Sequence, residues 1–199
     1  MLDTDPYVIC INLAGRGVLV VGTGVMADEK VDGLRRCGAQ VRAVGVDEYT
    51  SSLLDAAYLV VVASDDMATA RRIYRDAESR SMLVNVADVP DLCNFILPAI
   101  ARRGPVTVAI STSGASPALA KRIRREVEDL IGEEHAWLAR LLDEVRPWAK
   151  ENLSGYDARK RFFEDIVDGD PDPVVLLREG DEAGVRDLIE RAQRRATSS

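Results

Sequence analysis

The chain has 199 residues, a mass of 21.8 kDa and 47% hydrophobic residues, enough for one sizeable core and a small appended module, which excludes disorder as its dominant state. Its net charge is −7, and only residues 95–150 are basic, with 9 Lys and Arg against 7 Asp and Glu; this argues against a nucleic acid or an anionic membrane as partner. Apolar runs such as Tyr58 to Ala63 fall far short of the roughly 20 residues that cross a bilayer.

The start, Met1 to Asp5, is acidic and lacks the basic n-region of a signal peptide. Three widely spaced cysteines, Cys10, Cys37 and Cys93, and the single His135 offer neither a disulfide framework nor a zinc set. A cytoplasmic protein with no bound metal is the expectation.

Gly17 to Val21 is an apolar run bounded by glycine, as in a strand buried on both faces of a parallel sheet. Val25, Ala27, Val31 and Leu34 then share one face of a helix to about Cys37, with Gly38 as its stop. Gln40 to Val46 reads as a second strand, completing a βαβ unit. The pattern repeats with a strand over Tyr58 to Ala63, a helix over Met67 to Ser79 capped by Ser64 or Asp65, and a strand over Met82 to Val86. Only eleven residues, Glu48 to Tyr58, link the second and third strands, close to the minimum for a complete crossover.

Asn94 to Ala99 and Pro105 to Ser111 read as two more strands, joined by a short basic turn, Ala101 to Gly104, and therefore antiparallel. Ser116-Pro117 opens a helix to about Ile131. Beyond Gly132, amphipathic helices are predicted over His135 to Leu153, Tyr156 to Val167 and Asp181 to Gln193, with Gly169 to Pro173 as a turn.

Gly22-Thr23-Gly24-Val25-Met26-Ala27 directly follows a predicted strand and opens a helix. The first glycine permits a tight turn, the second lets backbone approach a pyrophosphate, and the helix N-terminus offers free N–H groups to the anion. Asp47 falls some 20 residues later at the end of the second strand, where a carboxylate accepts hydrogen bonds from an adenosine ribose and repels a 2′-phosphate, favouring NAD over NADP. Asp88 follows a strand at the carboxyl end, where open α/β sheets place their ligands, although it also reads as a turn aspartate ahead of Pro90. Ser111 to Ser116 form a hydroxyl-rich loop at a helix N-terminus, suited to carboxylates; Ser116 also reads as the plain N-cap of that helix. His135, alone in a predicted surface helix with no paired acid, is not expected to serve a nucleophilic triad.

Several motifs occur in order: Asn12-Leu13, Val20 to Gly24 with Ala27 and Lys30, Ala63-Ser64-Asp65-Asp66, Asn85 to Phe95, Pro98-Ala99-Ile100, Ala109 to Pro117, and Arg159 to Phe163. With them the chain resembles the siroheme-biosynthesis family of precorrin-2 dehydrogenases, some of which are also sirohydrochlorin ferrochelatases. The resemblance covers nearly the whole chain. It implies an α/β fold with a Rossmann-like NAD-binding domain over 1–93, a small central dimerisation region over 94–131 and a C-terminal helical domain over 132–199.

It further implies a homodimer that oxidises precorrin-2 to sirohydrochlorin with NAD, and in some members inserts Fe²⁺ or Co²⁺ as a substrate metal. The family's key aspartate falls on Asp88, and its active-site serine on Ser116, with Ser111 and Ser113 in the same loop. The implied cofactor contacts are Gly22, Thr23, Gly24, Val25, Met26, Val46, Asp47 and Ser64. A non-enzymatic NAD sensor or a tetrapyrrole carrier on the same fold is the competing expectation. The short link after Asp47 departs from the family pattern.

Overall fold

The computed structural model describes residues 6–198; Met1 to Asp5, weighed above as a signal peptide, lie outside the described residues. The chain divides into two compact units. The first runs to Leu97 and takes in Ser113–Ala115; the second comprises Pro98–Thr112 and the chain from Ser116 onward.

The first unit is built on four parallel strands, β1 (Gly17–Val21), β2 (Gln40–Val44), β3 (Leu59–Val62) and β4 (Leu83–Val86), in the spatial order β2-β1-β3-β4. Leu19, Val21, Val60, Val62, Val84 and Val86 face one core with Ala70, Ile73 and Ala77 of helix α2 (Met67–Glu78). Val18, Val20, Leu59 and Val61 face the other with Ala27 and Val31 of helix α1 (Val25–Arg36). Covered on both sides, the central strands β1 and β3 need the uninterrupted apolar runs seen in the sequence. Each buried valine or leucine contributes about 1.5–3 kcal/mol. From β1 the chain winds to β2 on one side and then to β3 on the other, so β1 and β3 flank the switch point where open α/β sheets hold ligands.

Local details correct several expectations. The second strand stops at Val44 rather than Val46: the chain turns there, and the Glu48 side chain accepts from the Gly45 N–H and so caps the turn. Val46 and Asp47 therefore lie in a 3-10 turn, Val46–Glu48. A second such turn, Ser51–Ala56, replaces the crossover helix that eleven residues cannot supply. Buried Tyr49 anchors this short link: its hydroxyl donates to Asp76 Oδ2 at 2.9 Å, and its carbonyl accepts from Arg72 at 3.1 Å. The cap of α2 is Asp66, not Ser64 or Asp65; its carboxylate accepts from the Ala68 and Thr69 amides. Ser64 supports it by accepting from the Asp66 amide.

No strand forms over 94–98, and the strand expected from Asn94 begins only at Ala99. Asn94 instead pairs with β4 through both backbone and side chain: its N–H donates to Val84 O and its Oδ1 accepts from the Val84 N–H at 2.8 Å.

In the second unit, β5 (Ala99–Arg103) and β6 (Val106–Ile110) form the expected antiparallel hairpin, but Ala101 to Arg103 belong to β5 itself. The turn is Gly104-Pro105, with Gly104 at a φ of 50°, a conformation glycine adopts without strain. Helix α3 (Pro117–Leu130) packs Ala120, Ile123 and Val127 against Ala101 and Ile110.

Helices α4 (Glu133–Asn152), α5 (Gly155–Val167) and α7 (Glu182–Thr197) enclose Leu141, Phe162, Ile166, Val185 and Ile189. A short helix, α6 (Pro173–Arg178), follows the turn at Gly169 to Pro173; Asp172 caps it by accepting from the Val174 N–H at 2.7 Å. His135 is a local cap as well, its Nδ1 accepting from the Gly132 N–H. Among the described residues no helix is long and apolar enough to cross a membrane.

Candidate functional site

The four parallel strands of the first unit end at one rim, and most of the expected site residues lie there. Gly22 follows β1, Val46 and Asp47 follow β2, Ala63 and Ser64 follow β3, and Asp88 follows β4. The strands that lead into Gly22 and Asp88 are two spacings apart, roughly 10 Å.

Gly22 has a φ of 136°, and its N–H donates to Val44 O at 2.9 Å. A β-carbon there would collide with the Ala63 carbonyl, so only glycine lets β1 turn this close to β3. Gly24, with a φ of 87°, starts α1 with no side-chain cap, and nothing lies within 4 Å of where its β-carbon would sit. The first amides of α1 are thereby left to a ligand from outside the helix, and a diphosphate is suited to them. Val25 and Met26 stand exposed beside that opening. This cradle fits a dinucleotide.

Asp88 is exposed and adopts a left-handed φ of 59°, a region that Asp and Asn tolerate better than other non-glycine residues. It sits in a tight turn in which the Val89 N–H donates to Val86 O, while the Ala87 N–H donates to Val62 O. The chain beyond is pinned back along β4. Cys93 Sγ accepts from the Val86 N–H and donates to Val86 O or Val89 O at 3.2–3.3 Å, and Asn85 Nδ2 donates to Phe95 O. Asn94 Nδ2 bridges Met82 O and Glu78 Oε1. Burial pushes the Cys93 thiol pKa up, with the Val86 hydrogen bond opposing it, so Cys93 is a packing and hydrogen-bonding residue rather than a thiolate nucleophile. Cys93, Asn94 and Asn85 fix the loop that carries Asp88, a role that spacing along the sequence does not reveal.

In the serine loop, Ser113 and Gly114 both have positive φ, 51° and 84°. Thr112 closes the loop: its hydroxyl accepts from the Ser116 N–H and donates to Ser116 O, both at 3.1 Å. Ser116 Oγ accepts from the Leu119 N–H and so caps α3. Thr112, missed in the sequence, holds the serines' backbone shape. Ser113 groups with the first unit, whereas Ser111 and Ser116 belong to the second. Among the described residues, no three His, Cys, Asp or Glu side chains gather as a metal site.

A glycine cradle at the switch point of a parallel sheet defines a dinucleotide-binding α/β module, and comparison with known proteins agrees. Residues 9–99 match a family model described as NAD(P)-binding, 103–130 one described as sirohaem biosynthesis protein central, and 136–192 one described as sirohaem synthase dimerisation region. Over residues 9–192 the chain is thus similar to the siroheme synthase family.

It is 33% identical over 194 residues to a siroheme synthase of Nitrosococcus oceani, covering 88% of this chain and 42% of that one. It is 35% identical over 187 residues to one of Methylobacillus flagellatus, covering 84% and 40%. The chain thus spans about two fifths of the length of these relatives. Among solved structures it resembles SirC, precorrin-2 dehydrogenase, with a TM-score of 0.73 at 24% identity over 95% of this chain and 100% of that one, which shows the shared fold.

Proposed function

We propose that this chain oxidises precorrin-2 to sirohydrochlorin with NAD⁺ in siroheme biosynthesis. The observation that carries the reading is one strand-end rim presenting both the glycine cradle and an exposed carboxylate, Asp88, held on a hydrogen-bonded turn. Precorrin-2 loses two hydrogens, one as hydride and one as a proton. NAD⁺, when bound, supplies the hydride acceptor.

Gly22, Thr23, Gly24, Val25 and Met26 receive its diphosphate; Val46 and Asp47 line the adenosine side and Ser64 the side next to β3. Asp88 accepts the proton, a role that suits an exposed carboxylate on a fixed turn. Ser111, Ser113 and Ser116 donate hydrogen bonds to the substrate's carboxylates, in a loop whose backbone Thr112 holds.

The protein acts as a cytoplasmic homodimer with an NAD-binding domain over 1–93. Dimerisation engages the central region, 94–131, together with the helical domain, 132–199. The match of 136–192 to a dimerisation region supports that assembly.

The test is anaerobic incubation of the purified chain with precorrin-2 and NAD⁺, with Fe²⁺ or Co²⁺ added once oxidation is complete. NADH and sirohydrochlorin formed together support the dehydrogenase, and metal uptake faster than the enzyme-free rate adds chelation. Binding of NAD⁺ without turnover favours the sensor or carrier.

A further inference from the structure

Among the described residues, no hydrogen bond or ion pair holds the Asp88 carboxylate itself, so its place is set by the backbone that carries it. That backbone is a four-residue turn, 86–89. Asp88 is its third residue, with a φ of 59°, and the Val89 N–H closes it on Val86 O at 3.2 Å. One side chain reaches both ends of this turn. Cys93 Sγ accepts from the Val86 N–H at 3.2 Å and donates to Val86 O at 3.2 Å or Val89 O at 3.3 Å. No neighbouring strand does this, because β4 ends the order β2-β1-β3-β4. Cys93 is itself held in place: its own N–H donates to Pro90 O at 3.1 Å, and Leu92 beside it is buried in the core that α2 covers. The thiol therefore links the first and fourth residues of the turn whose third residue presents the carboxylate. Left-handed backbone is disfavoured for a residue with a β-carbon, so the turn needs its ends held.

We propose that Cys93 is a positioning residue for the dehydrogenation. Through Val86 and Val89 it sets where the Asp88 carboxylate stands, and it acts on the proton-transfer step rather than on the binding of NAD⁺ or substrate. A displacement of about 1 Å in a reacting group costs up to about 10²-fold in rate. The inference rests on the reading of Asp88 as the proton acceptor.

The test is anaerobic steady-state oxidation of precorrin-2 by the full chain for wild type, Cys93→Ala, Cys93→Ser, Asp88→Asn and Tyr49→Phe, with a thermal melt and an NAD⁺ titration of each. Cys93→Ala is expected to lower kcat by about tenfold or more, while KM for precorrin-2 and the NAD⁺ dissociation constant stay within about twofold of wild type. Cys93→Ser, whose hydroxyl both accepts and donates, is expected to recover kcat to within about threefold. Tyr49→Phe removes a hydrogen bond elsewhere in the same unit and is expected to keep the wild-type kcat. If Cys93→Ala does not fold, Cys93→Val, which fills the space without a donor, replaces it. A folded Cys93→Ala or Cys93→Val with kcat within about twofold of wild type overturns the positioning role. So does a Cys93→Ser as slow as Cys93→Ala, or an equal loss of kcat in Tyr49→Phe. If Asp88→Asn itself turns over within about threefold of wild type, the reading of Asp88 fails and the inference with it.

Discussion

Asp88 stands in a left-handed conformation with a φ of 59°, so its replacements separate chemistry from backbone strain. Asp88→Asn removes the carboxylate, keeps the side-chain shape and tolerates the conformation; it should change stability by no more than about 0.5 kcal/mol. Asp88→Ala removes the same carboxylate but places a β-carbon with no local hydrogen bonding in a region that costs about 1–2 kcal/mol. At 199 residues that lowers the melting temperature by about 2–8 °C. Asp88→Gly removes the carboxylate and relaxes the turn. If the carboxylate accepts the proton, all three variants lose a similar factor, about 10²–10⁴, in the rate of sirohydrochlorin formation at saturating NAD⁺. Their NAD⁺ dissociation constants stay within about twofold of wild type. The assay is anaerobic turnover with parallel thermal melts. An Asp88→Asn enzyme within about threefold of wild type, with Asp88→Ala alone impaired, would show that Asp88 serves only the turn.

Gly22→Ala adds to its positive φ a β-carbon driven into the Ala63 carbonyl and should destabilise the first unit more than Gly24→Ala, which meets open space and costs about 1–3 kcal/mol from a backbone conformation essentially reserved for glycine. Denaturant midpoints distinguish the two. Asn94→Leu leaves the Val84 N–H without its acceptor and should cost about 1–3 kcal/mol, with faster hydrogen exchange at Val84. Tyr49→Phe removes the bond to Asp76 at about 0.5–1.5 kcal/mol. Burial, and then Asp76, raise the Tyr49 pKa, so its contribution is complete below the ordinary tyrosine value near 10 and lost at higher pH. Alkaline unfolding should therefore begin at lower pH in wild type than in Tyr49→Phe.

The first βαβ unit is legible because its signals are local and strict: an apolar run closed by glycine, one helix face, and Gly38 at its end. Ser116-Pro117 marked the start of α3 for the same reason. Ser64, Asp65 and Asp66 are all competent caps, so residue type alone does not single out Asp66. The segment after Asn94 looks extended but is governed by hydrogen bonds from Asn94 and Cys93 to β4, which no periodicity encodes. The short α6 begins at the last residue of the predicted turn, Gly169 to Pro173, and no element is predicted over 174–178, though Asp172-Pro173 carries its cap signal. At the rim, the order of strands and motifs placed Gly22, Asp47 and Asp88 at strand ends, but neither the left-handed turn at Asp88 nor the capping of the Gly45 N–H by Glu48 follows from spacing.

The most direct test is one stoichiometry: NADH and sirohydrochlorin measured in the same anaerobic incubation of the wild-type chain with precorrin-2 and NAD⁺. Equal amounts are expected, rising together and absent when NAD⁺ is omitted. Sirohydrochlorin no faster than the enzyme-free control, from protein that demonstrably binds NAD⁺, would contradict the dehydrogenase.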